Sequence, residues 1–261
     1  FVRIAAYLTL TAILLPVQAF ALRFNRPLSV SLPLFYHRTC SRLLGFHVRV
    51  HGKMHAEPPV LFACNHTSYS DIAVLGSLLP ASFVAKAEVA GWPLFGVLAK
   101  LQRTVFVDRR AIKATGQRDE MIRRLEASDN LILFPEGTSS DGNAVLPFKS
   151  ALFSVAQVEP HGRPLVVQPV SLAYTRLDGM PVGRALRPYF AWYGDMTLAP
   201  HFWEVAGLGH ATVDVVFHPP VTIAEYESRK ALADHCQAVV ARGVSAANAG
   251  RLDALIPATS S

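Results

Sequence analysis

From about Gly52 onward, short apolar runs of β-type residues alternate with helical stretches, and no other feature restricts the fold of this chain as strongly. The runs fall at 60–64, 82–85, 104–107, 131–134, 165–173 and 212–217, with helices expected at 71–79, 113–127, 148–157 and 224–247. Several runs are apolar throughout, as strands are when both faces of their sheet are covered. Such alternation predicts an α/β domain whose mostly parallel or mixed sheet is flanked by helices. Residues 51–250 are assigned to this domain, 1–50 to a membrane-anchoring helical segment, and 251–261 to a loose tail. No internal repeat or low-complexity stretch divides the chain further.

The front segment carries its own constraint. Residues 4–22 form a run of 19 without a charge, bounded by Arg3 and Arg23. About 20 apolar residues cross a bilayer core, so the run is barely long enough. Pro16 and Gln18 lie within it, which fits a bent or re-entrant segment as well as a straight span. A signal peptide ending near Ala19-Phe20-Ala21 and a buried core helix are the competing readings. If 32–46 is helical, Tyr36, Cys40, Leu43 and Leu44 share one face while Arg38 and Arg42 share the other. That pattern suits a helix lying in the membrane interface, and equally one packed on the domain. Arg23, Arg26, Arg38 and Arg42 follow the apolar run, so the positive-inside rule puts the remainder in the cytoplasm, at the inner membrane.

Composition agrees. Half the residues are apolar (51%) and only 17% charged, against about a quarter in an ordinary soluble domain. Lys and Arg number 25 against 19 Asp and Glu, a net +6 that favours anionic partners. No nucleic-acid module is recognisable, so a phospholipid surface or nucleotide phosphate is the expected partner. Cys40, Cys64 and Cys236 are scattered, with neither disulfide nor zinc spacing, and are expected as reduced core residues.

The chemistry concentrates where strands end. Asn65-His66-Thr67-Ser68-Tyr69-Ser70-Asp71 follows the run 60–64, and sites in open α/β sheets gather at carboxyl ends of strands. Asp71 is a natural helix N-cap. The four intervening residues also let its carboxylate fold back onto His66, fixing one ring nitrogen and freeing the other to accept a proton. This is a Ser-His-Asp arrangement without the serine, so a substrate hydroxyl becomes the nucleophile. A positioned general base contributes about 10²–10⁴-fold in rate. Alone, His-x4-Asp is more often a satisfied histidine beside a cap. Three further segments add weight. Val105 to Arg110 ends a strand with two guanidiniums, Arg109 and Arg110, suited to bidentate phosphate contacts. Phe134-Pro135-Glu136-Gly137-Thr138-Ser139-Ser140 ends another in a tight turn that aims Glu136 and backbone N–H groups at the same crevice. Val167-Gln168-Pro169-Val170 puts a proline inside an apolar strand, implying an edge, a bulge or a functional bend.

In this order and spacing the four blocks resemble those of the glycerolipid acyltransferase family, over roughly residues 50 to 175. The first matches the NHxSxxD (HX4D) motif at Asn65, His66, Ser68 and Asp71; the second, a phosphate-contacting stretch ending in Arg109; the third, FPEGTRS; the fourth, a proline-containing strand. The resemblance implies a catalytic His66–Asp71 dyad and acceptor binding by Arg109, Glu136 and Gly137. Asn65, Ser68, Thr138 and Ser139 are the further substrate-binding residues it implies. It also implies a lysolipid acceptor, an acyl-CoA or acyl-carrier-protein donor, and no metal or redox cofactor.

One position departs from the family pattern. Ser139 stands where arginine usually follows FPEGT, removing up to five N–H donors and a full charge. The continuation through Asp141-Gly142-Asn143 to Leu146-Pro147-Phe148-Lys149 resembles the bacterial lyso-ornithine lipid branch of the family, whose acceptor carries no phosphate. Arg109 and Arg110 keep 1-acylglycerol-3-phosphate open as the alternative. A thioesterase or lipase, with water as attacker, lacks a GxSxG elbow, and a non-catalytic lipid-binding protein would not need the dyad.

Overall fold

The structure is a computed structural model describing residues 2–107 and 115–255. Two helices lead, α1 (Val2–Phe24) and α2 (Arg26–Leu43), followed by β1 (Phe46–Gly52), β2 (Val60–Cys64), α3 (Ser70–Leu78) and β3 (Ala81–Lys86). Then come α4 (Phe95–Leu101), β4 (Val105–Val107), α5 (Thr115–Glu126), β5 (Asn130–Leu133), β6 (Val166–Leu177) and β7 (Met180–Pro181). The chain continues with α6 (Leu198–Gly207), β8 (Ala211–Phe217), β9 (Val221–Thr222), α7 (Arg229–Asn248) and α8 (Leu252–Leu255). The nine strands form one sheet in the order β1-β8-β6-β2-β5-β3-β4, with β7 and β9 pairing to β6. All neighbours along that path run parallel except β6 and β8, so the sheet is mixed and mostly parallel.

The apolar runs form strands because both faces are covered. In β2, Val60, Phe62 and Cys64 face a core shared with Leu44, Val74 and Leu75, from the α2 and α3 side. Leu61 and Ala63 face the opposite core, with Met121 and Leu125 of α5 and Leu232, Cys236 and Val240 of α7. The expected helix at 148–157 is a 3₁₀ segment, Ser150–Gln157, in which buried Phe153 and Ala156 stand three residues apart and therefore one above the other.

Pro169 lies in the middle of the sheet, not at an edge. β6 pairs with β9 through Val166 and Val167 and with β8 from Val170 onward, and the proline sits at that change of partner. Its carbonyl accepts from His218 N at 3.1 Å. The return bond that a residue with an N–H would give His218 O comes instead from Gln168 Nε2, at 2.9 Å.

Two boundaries differ from expectation. The sheet starts at Phe46, so the helical segment expected over 1–50 gives way to the sheet before residue 50. At the other end, Leu252 of α8 is buried against Ala173, Val216 and Ala247, which ties down the start of the expected tail. α2 resolves as a packed helix. Cys40 and Leu44 are buried, Ser41 Oγ donates to Ala73 O (2.9 Å), and Arg38 Nε donates to Ser77 O (2.9 Å) in the last turn of α3. α1 is fastened along its length. Arg3 Nη1 donates to Leu208 O (2.5 Å), Thr11 Oγ1 bonds Tyr36 Oη (2.9 Å), and Gln18 Nε2 donates to Ser29 O (3.0 Å) and Leu101 O (2.9 Å). Its other face, including Leu8, Ile13, Val17 and Phe20, stays exposed.

Candidate active site

β2 and β5 run parallel side by side, so the loops after Cys64 and Leu133 meet at one sheet edge. His66 is held there by four contacts. Its N–H donates to Glu136 Oε1 (2.7 Å), its carbonyl accepts from Ser140 N (2.9 Å), its Nδ1 bonds Asp71 Oδ2 (2.8 Å), and its ring stacks on Phe134 at 4.1 Å. Its side chain keeps 21% of its surface accessible, whereas that of Asp71 is 0% exposed. With Nδ1 committed to the carboxylate, Nε2 is the nitrogen left to take up a proton.

Asp71 does not cap α3 as expected. Tyr69 occupies the cap position without a side-chain capping bond, and Asp71 lies in the first helical turn. There the partial positive charge of the helix N-terminus favours a carboxylate. Its Oδ2 also accepts from Thr67 N (2.7 Å) and Ser68 N (2.9 Å), folding the loop back over it. Its Oδ1 accepts from Tyr174 Oη at 2.9 Å. Tyr174, on β6, stacks on Phe190 and meets Phe46 edge-on. Burial, and then the Asp71 charge, push its hydroxyl well above the usual phenol range, so it remains a donor. Sequence reasoning missed Tyr174. The available signal was a phenol within an apolar strand, since a buried tyrosine hydroxyl needs a partner.

Several implied substrate-binding residues are occupied in holding the loops. Asn65 clamps β6: its Nδ2 donates to Leu172 O (2.9 Å) and its Oδ1 accepts from Leu172 N (2.8 Å). Ser68 is fully buried. Glu136 is 2% exposed, and its oxygens accept from His66 N (2.7 Å) and Leu146 N (2.8 Å), joining the two loops beneath the histidine. Burial pushes its carboxyl up to about 7. Gly137, at φ +68, closes the expected turn by donating to Phe134 O (3.0 Å). Thr138 is exposed at the tip, while Ser139 Oγ donates to Trp192 O. Trp192 N in turn donates to Thr67 O (3.0 Å), so a strap over 183–197 crosses both loops. Arg109, with Asp108 and Arg110, lies outside the described residues; β4, which ends two positions before it, runs parallel to β3 and so to β5 and β2. Among the described residues no group of three or more His, Cys, Asp or Glu could hold a metal ion.

A mixed sheet that presents a histidine–aspartate pair at the carboxyl end of β2 places the chain in a class, and comparison with known proteins agrees. The acyltransferase family model matches residues 47–173. The chain is 46% identical over 237 residues to a lyso-ornithine lipid O-acyltransferase of Brucella abortus, covering 89% of each. A second protein of that description, from Rhizobium meliloti, is 42% identical over 84% of this chain and 76% of its own length. A 1-acyl-sn-glycerol-3-phosphate acyltransferase of Neisseria gonorrhoeae is 35% identical over 67% of this chain and 65% of its own. The crystal structure of the 1-acyl-sn-glycerophosphate acyltransferase of Thermotoga maritima shares the fold, with a TM-score of 0.62 at 20% identity over 92% of both chains. The chain belongs to the acyltransferase family. It is an acyltransferase of lipid biosynthesis.

Proposed function

We propose that the chain transfers a fatty acyl group from acyl-CoA or acyl carrier protein to the hydroxyl of a lyso-ornithine lipid, at the cytoplasmic face of the inner membrane. The pairing of His66 Nδ1 with the buried Asp71 carboxylate at 2.8 Å carries the chemistry. His66 Nε2 takes the proton from the acceptor hydroxyl as its oxygen attacks the thioester carbonyl. The tetrahedral intermediate collapses, the C–S bond breaks, and the departing thiolate recovers the proton from His66. Asp71 holds the ring tautomer and stabilises the imidazolium between these steps. Backbone N–H groups of the motif turns, those of Thr138 and Ser139 among them, are the candidates to hold the oxyanion. Arg109 is assigned to the acceptor head group, and no metal or redox cofactor takes part.

The acceptor assignment rests on the 46% and 42% identical relatives and on Ser139 in place of arginine. The 35% identical Neisseria relative, with Arg109 and Arg110 retained, supports 1-acylglycerol-3-phosphate as the second reading. α1, apolar enough to cross a bilayer yet fastened to the domain at both ends, is taken as an anchor lying along the membrane. The test is incubation with labelled acyl-CoA or acyl carrier protein plus each acceptor in turn, or none. Diacyl product dependent on lyso-ornithine lipid supports the proposal. A preference for 1-acylglycerol-3-phosphate replaces it with the second reading, and free fatty acid without acceptor overturns both.

A further inference from the structure

All three tryptophans of the chain, Trp92, Trp192 and Trp203, stand on outcrops of the domain beside α1 and the site. The first outcrop is the turn into α4. Residues 91–99 carry no charge, and Trp92 (37% exposed), Leu94 (44%) and Val97 project from it. Leu94 has φ +59, an unfavourable conformation for a residue with a Cβ. Gly96 is needed directly behind it, because a Cβ there would lie 2.5 Å from Ala90 O. In water this turn would leave a contiguous apolar surface exposed.

The other outcrops adjoin it. Trp92 meets Trp192 edge-on at 5.8 Å, and the strap bearing Trp192 also exposes Tyr189 and Tyr193. Phe202 of α6 packs on Tyr7 of α1 at 5.5 Å, and its neighbour Trp203 is 50% exposed. α1 touches the first outcrop as well: Leu14, Leu15 and Gln18 line a crevice with Leu98 and Leu101 of α4. The three patches are thus continuous with the anchor helix. They also border the catalytic loop, where Trp192 N bonds Thr67 O and Tyr69 packs on Trp192 at 6.1 Å. Tryptophan and tyrosine suit the head-group zone of a bilayer, where an apolar ring and a polar edge are both satisfied.

We infer that the catalytic domain itself seats in the lipid bilayer through the Trp92–Val97 turn, the strap around Tyr189 and Tyr193, and Trp203, so that lipid borders the approach to His66. This rests on the reading of α1 as a membrane anchor. Full-length protein is bound to vesicles of phosphatidylglycerol and phosphatidylcholine, with or without bromine on the acyl chains, and tryptophan fluorescence is recorded. Two variants isolate the probes: Trp192→Phe with Trp203→Phe leaves Trp92, and Trp92→Phe with Trp192→Phe leaves Trp203. In each, brominated lipid is expected to quench the emission, as for an indole held at the membrane interface. The pair Leu94→Asp and Val97→Asp should stay vesicle-bound through α1 and lose roughly tenfold or more in activity on vesicle-borne acceptor, because apolar side chains no longer seat the turn. Its activity on a short-chain acceptor dissolved as monomers should match the parent. Protein that fails to sediment with vesicles overturns the anchor reading and this inference together. Bound protein whose Trp92 and Trp203 are both unquenched overturns the inference alone, as does equal loss on both acceptors.

Discussion

Replacing Tyr174 with phenylalanine removes one oxygen and leaves the stacked ring on Phe190 in place. The lost bond is the 2.9 Å contact to Oδ1 of Asp71, a carboxylate with no exposed surface, so water does not substitute for it. A hydrogen bond to a charged group contributes about 1.5–3 kcal/mol, so the variant is expected to unfold that much more readily. Catalysis should respond differently. The kcat should be lower by about tenfold, or 1.4 kcal/mol, from a less firmly held dyad. The KM for acceptor should be unchanged, since Tyr174 is buried on β6. Denaturant titration and steady-state measurement of kcat and KM make the test. A destabilised variant with a kcat within twofold of the parent would refute the positioning role and leave Tyr174 a packing residue.

Two other substitutions separate holding roles from binding roles. In Glu136→Gln one amide end faces a backbone N–H it cannot accept from, so about 1–3 kcal/mol of stability and most of kcat should be lost. The Glu136 carboxyl titrates at about 7 in the folded protein, above its ordinary 4.5, so folding tightens its hold on the proton. Parent stability relative to the variant should then fall between those values as pH rises and level off above them; a constant gap in denaturation midpoint would contradict this. Ser139→Arg should raise kcat/KM for 1-acylglycerol-3-phosphate relative to lyso-ornithine lipid and lower total activity, because the bond to Trp192 O is also lost. Ser139→Ala should lower activity without moving the ratio, and an unmoved ratio in the arginine variant would place this position away from the head group.

What was legible in the sequence was what local pattern controls. β2 falls on its expected residues because an unbroken apolar run leaves a central strand few alternatives. The contact of His66 with Asp71 was legible because the backbone of one short loop makes most of its geometry. β1 was missed because Phe46-His-Val-Arg-Val-His alternates like a half-exposed edge, and its Arg49 and His51 find their partner, Asp214, only after the chain returns as β8. Tyr174 was missed for the same reason, lying 103 residues from the aspartate it serves. Glu136 and Asn65 were assigned to substrate because their motif suggested it. Their backbone partners depend on strand order, which spacing along the chain does not encode.

The account stands most directly on His66 as the base of an acceptor-dependent transfer. The deciding measurement is diacyl product formed from labelled acyl donor and lyso-ornithine lipid by the parent and by His66→Ala, at matched and verified folding. Product from the parent should require the lysolipid, and the variant should fall by about 10²-fold or more. A variant within threefold of the parent, or a parent that releases free fatty acid whether or not lysolipid is present, would contradict it.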